Sequence, residues 1–107
     1  MSIPSNTNVL AAGIEIVGSI YFQNDMHIDG KVDGNIQSDS GKVTIGEQAN
    51  IKGDINAGVV HVYGHVVGKV TSERCHLSKD SVVTGDIKTG VLSMDEGARL
   101  SGLAEIG

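Results

Sequence analysis

The pentapeptide IKGDI at residues 51–55 returns as VTGDI at 83–87. Looser copies surround it: IVGSI at 16–20, VDGNI at 32–36, VVGKV at 66–70 and a fainter LSGLA at 100–104. Their central glycines stand at 18, 34, 53, 68, 85 and 102, in steps of 16, 19, 15, 17 and 17 residues. A repeat this short has no room for a pair of helices. It suits one coil of a β-solenoid, a few short strands joined by tight corners. The expectation is an all-β, single-domain parallel β-helix of about six coils, with a tail at 1–13 and the coiled domain at 14–107.

Each copy reads apolar–x–Gly–x–apolar. Strand side chains alternate between faces, so Ile51, Gly53 and Ile55 are expected to point inward and Lys52 and Asp54 outward. Glycine on the inner face would mark a pinch in the cross-section where a Cβ does not fit. A second strand signal precedes each copy by about eight residues: VTI at 43–45, VHV at 60–62, CHL at 75–77 and LSM at 92–94. Alternation turns Val43, Ile45, Val60, Val62, Cys75, Leu77, Leu92 and Met94 inward. The segments GEQAN, SKD and DEG read as corners. With two Tyr, one Phe and no Trp, the core must be thin and built from branched aliphatics, which favour strands. After the glycine, successive coils present Asp54, Lys69 and Asp86. Their signs alternate, which favours in-register stacking.

A net charge of −5 without a basic cluster argues against nucleic acid, whose phosphates need Lys and Arg. No apolar run is long enough for a transmembrane helix, and the N-terminus lacks the pattern of a signal peptide. Cys75 is the single cysteine, so no internal disulfide forms, which fits a reducing cytoplasm. Alternation makes Cys75 a small core residue and not a nucleophile. His61 and His76 fall outward, one coil apart. Zinc needs three or four convergent ligands, so these histidines read as solvated. The glycines open no helix and match no phosphate loop. No catalytic, cofactor-binding or metal-binding residue is assigned.

A solenoid ends in two unpaired edges over an exposed core, and soluble solenoids normally cap them. Here the repeat runs on to LSGLAEIG, and no cap is visible at either end. Uncapped edges invite another chain, so self-association is expected. Ile14, Ile16, Ile20, Tyr21 and Phe22 are the candidate contacts at the N-terminal end. Leu92, Met94, Leu100, Leu103 and Ile106 are those at the C-terminal end. Tyr21 and Phe22 serve equally well as core filler.

The blocks HIDGKVDGNI, VTIGEQANIKGDI, VHVYGHVVGKV, SVVTGDI and LSMDEGARLSG, in that order, resemble the bactofilin family of bacterial cytoskeletal proteins over roughly residues 14–102. The resemblance implies a right-handed β-helix and filaments formed without nucleotide by alternating end contacts. It also implies a cytoplasmic scaffold at the inner face of the cell membrane that positions cell-wall enzymes or other morphogenetic proteins. Family members often touch the membrane with an apolar N-terminal tip. Met1 and Ile3 stand at the matching place here, without the Phe and Lys often found there.

Two other readings compete. One is a left-handed hexapeptide-repeat enzyme of the acyltransferase or carbonic anhydrase type, whose strict six-residue period the glycine steps break. The other is a β-helical binding module that docks a partner without polymerising.

Overall fold

Branched aliphatics at every second position favour extended backbone. In the computed structural model, which describes residues 7–10, 13–22, 25–39 and 41–106, strands are the only regular elements found among the described residues. They are β1 (Thr7–Leu10), β2 (Glu15–Val17), β3 (Ile20–Tyr21), β4 (Asp25–Ile28), β5 (Lys31–Asp33), β6 (Ile36–Gln37), β7 (Lys42–Ile45), β8 (Asn50–Lys52), β9 (Ile55–Val62), β10 (His65–Leu77), β11 (Val82–Met94), β12 (Arg99–Ser101) and β13 (Ala104–Ile106). Every pairing between them is parallel. The result is a parallel β-solenoid with three faces.

The first face stacks β1, β4, β7 and the later parts of β9, β10 and β11. The second stacks β2, β5, β8, the starts of β10 and β11, and β12. The third stacks β3, β6, the start of β9, the middles of β10 and β11, and β13. Each face therefore carries six layers. The chain makes five full turns between Thr7 and Met94 and then adds two faces, slightly less than the six coils expected. Uneven corners explain the uneven glycine steps. The corner before β8 holds 46–49, whereas the corner before β10 holds only Tyr63 and Gly64.

Inward positions line up in columns. On the first face, Met26, Val43, Val60 and Cys75 succeed one another, beside Ile28, Ile45, Val62 and Leu77. On the second face the column is Val32, Ile51, Val66 and Val83, and on the third Ile36, Ile55, Val70 and Ile87. All are buried. Each such aliphatic contributes about 1.5–3 kcal/mol on burial, and like stacked on like makes every layer a template for the next. Outside, register sets Lys69 opposite Asp86 as expected. Exposed pairs of this kind contribute at most about 1 kcal/mol, so the aliphatic columns set the register.

The repeat glycines do not face the interior. Each block changes face at its glycine, between two strands or, at Gly68 and Gly85, within β10 and β11; the glycine turns the chain with φ between +128° and +147°. A Cβ there would point along the stack and not into it. On Gly53 it would lie 1.9 Å from the carbonyl oxygen of Gly34, and on Gly68, 2.0 Å from that of Gly53. The constraint is the 4.8 Å rise between layers, acting at a corner whose φ an L-residue rarely adopts.

The solenoid also begins before Ile14. Residues 7–10, expected in the tail, form β1 and pair with β4. The register sets Asn8 opposite the buried Met26. In TNVL no second apolar residue alternates with Leu10, so the pattern that would have marked a strand is missing from the sequence.

Ser81 is fully buried, and its hydroxyl has no hydrogen-bond partner among the described residues. It closes a turn in which its N–H donates to Ser78 O at 3.0 Å. The same turn recurs with Ala49 donating to Gly46 O and Ala98 to Asp95 O. Alanine therefore fits this corner. Ser81→Ala is expected to raise unfolding stability by about 1 kcal/mol or more, measured as a higher urea midpoint with an unchanged slope.

Candidate polymer interface

Toward the last described layer the inner columns become exposed. Val83 is 0 % exposed, while Leu100, opposite it on the last layer, is half-buried. Leu77 is 0 % exposed and Met94 above it 45 %. Thr89 is buried and Ile106 opposite it exposed. Leu92 is half-buried above the buried Cys75. Leu103 follows the last glycine corner and points outward at 74 % exposure.

The N-terminal layer is more closed. Ile16 and Ile20 are half-buried above Val32 and Ile36, but Leu10 and Phe22 are buried. Of the two aromatics left open between core and contact, Phe22 lies in the core. Tyr21 is exposed, and its hydroxyl donates to Asp39 Oδ2 at 3.1 Å. That bond and the charge of Asp39 raise the Tyr21 pKa. Ile14 and Val17 are exposed beside it. Met1 and Ile3 lie outside the described residues.

Among the described residues the C-terminal end is therefore the broader apolar platform. Sequence reasoning missed two of its members, Ala104 and Val91. Ala104 ends the column of Ile87, and Val91 lies opposite Arg74. Both are exposed. Counting columns from the glycine corners would have found Ala104.

No nucleophile or general base is assembled elsewhere among the described residues. Burial pushes the Cys75 thiol up to about 11, so it stays protonated at neutral pH. The glycine amides are spent on layer-to-layer bonds: Gly18 N–H donates to Asp33 O, Gly34 to Lys52 O and Gly53 to Val67 O. A nest of free N–H groups for a phosphate is not formed there. An open groove of about 480 Å³ lies over Thr44, Glu47, Gln48 and Tyr63 on the outer wall.

A parallel stack of layered aliphatic columns, with apolar side chains exposed on the last described layer, defines a class of β-solenoid open to further stacking. The family model described as bactofilin, polymer-forming cytoskeletal, matches residues 8–105, and the chain belongs to the bactofilin family. It is 34% identical to the cytoskeletal bactofilin BacA solved by solid-state NMR, with a TM-score of 0.86 over 94% of this chain and 95% of that one. It is 26% identical to the bactofilin of Thermus thermophilus, reconstructed by cryo-EM as double helical filaments, with a TM-score of 0.83 over 91% of this chain and 98% of that one. Comparison with curated proteins gives no significant match.

Proposed function

We propose that this chain polymerises end to end, without nucleotide, into cytoplasmic filaments at the inner face of the cell membrane that hold cell-wall or shape-determining factors in place. The observation that carries the polymerisation is the opening of the inner columns at the last layer, where Leu100 is half-buried above a Val83 that is 0 % exposed. Leu92, Met94, Leu100, Leu103 and Ile106 form one contact. Ile14, Ile16, Ile20 and Tyr21 form the other, with Phe22 supporting them from the core. Aliphatic columns continuing from one copy into the next would bury these residues at no cost in new backbone geometry. Membership of a polymer-forming family and the filaments of the Thermus relative support the same reading. Met1 and Ile3 are assigned the membrane contact.

Purified chain viewed by negative-stain microscopy in nucleotide-free buffer is expected to show filaments. A monodisperse monomer by light scattering at the same concentration would refute the assembly. Co-sedimentation with anionic lipid vesicles, with and without residues 1–12, tests the membrane arm separately.

A further inference from the structure

One outward column of the first face runs through His27, Thr44, His61, His76 and Ser93. His61 and His76 occupy consecutive rungs, with ring centroids 5.5 Å apart and planes tilted by 48°. We propose that these two imidazoles form a clamp for a divalent transition-metal ion, copper(II) before nickel(II) or zinc, on the outer wall of the solenoid.

Several features of the wall support the clamp. The parallel ladder holds the two Cα positions in direct register, so both side chains rise from rigid neighbouring strands about 4.8 Å apart. That spacing suits two adjacent positions of a tetragonal metal. His76 has a carboxylate partner on the surface: its Nε2 lies 3.3 Å from Asp95 Oδ2. A carboxylate holding one ring nitrogen makes the other, here Nδ1, a better donor. His61 is half-buried on the wall. Tyr63, two residues on from His61, is exposed on the same wall.

The choice of ion follows from the donor count. Among the described residues no three His, Cys, Asp or Glu side chains converge, so a closed tetrahedral zinc site is not built. Two imidazoles with water in the remaining positions suit copper(II), which also binds nitrogen donors most tightly among the divalent first-row ions. Lys42 and Arg74 lie on neighbouring strand positions and repel a cation, so the site is a modest binder. His27 stands apart, because Thr44 separates it from His61 in the column.

The two imidazoles sit on the fourth and fifth of the six layers of this face, and Asp95 follows Met94 of the last layer. The test is a titration of the full chain with copper(II) chloride at neutral pH in a non-coordinating buffer, followed by calorimetry and electron paramagnetic resonance. One ion per chain with two nitrogen ligands is expected. His61→Ala and His76→Ala each weaken binding at least tenfold. Asp95→Asn weakens it about tenfold while leaving two nitrogens, and His27→Ala leaves affinity unchanged. On the unaltered chain, sub-stoichiometric copper broadens the His61 and His76 imidazole resonances before those of His27 and His65. Equal affinity in wild type and His76→Ala, or first broadening at His27 or His65, overturns the proposal.

Discussion

Gly53→Ala is expected to abolish the cooperative fold, whereas Gly18→Ala leaves a folded protein. Both glycines hold similar backbone angles, φ +133° and +128°. An L-residue at such angles costs about 1–3 kcal/mol. They differ in what a methyl group meets. At Gly18 nothing lies within 4 Å, while at Gly53 the methyl falls 1.9 Å from Gly34 O and 2.7 Å from Gly34 C. Those are backbone atoms of the adjacent layer, which cannot swing away as a side chain would. Relief requires prising two layers apart, which loosens the hydrogen bonds from Gly34 N–H to Lys52 O and from Ile36 N–H to Asp54 O. A loss beyond about 4 kcal/mol follows, in the range that marks a broken structural element and comparable with the whole stability of a small domain. Circular dichroism and urea unfolding of the two variants check it. Equal stabilities would show that the backbone angle alone, and not the interlayer contact, selects glycine.

Leu100→Glu is expected to leave short oligomers where the wild-type chain forms filaments, with the monomer fold intact. In the isolated chain Leu100 is only half-buried, so a carboxylate there reaches water. In an end-to-end contact it would be trapped over the aliphatic column above Val83. Breaking a buried contact by leaving one unpaired charge costs about 3–5 kcal/mol, a fall of roughly 10²–10³-fold or more in the association constant. Sedimentation velocity and negative-stain microscopy read the length, and thermal unfolding confirms the fold. Unchanged filament length would remove the last layer from the interface.

The coil period, the strand class and most of the core were legible in the residues because aliphatic alternation carries that information directly. Val43 with Ile45, Val60 with Val62 and Cys75 with Leu77 are buried as alternation requires. The third face was hidden. Its strands are short, and IKGDI scans as one strand because Ile51 and Ile55 are both inward; a turn at Gly53 keeps them so without alternation. β1 was hidden for another reason: Asn8 stands in register with a buried methionine. The end layers were legible as the first and last copies of the repeat. Their inequality was not, since the burial of Leu10 and Phe22 against the exposure of Met94 and Ile106 depends on packing in space. The pairing of His76 with Asp95, 19 residues on, needed the register of the corners.

Because the three-sided outline and the glycine corners repeat at every level, the molecule can grow or shrink by whole rungs without disturbing either extremity. An insertion shorter than a full circuit would instead throw every column above it out of line, unless a corner absorbs it as 46–49 does. Subunit length is thus a quantised property. In an assembly of such subunits, the rung number would act as a ruler that sets the interval at which any outer-wall feature recurs.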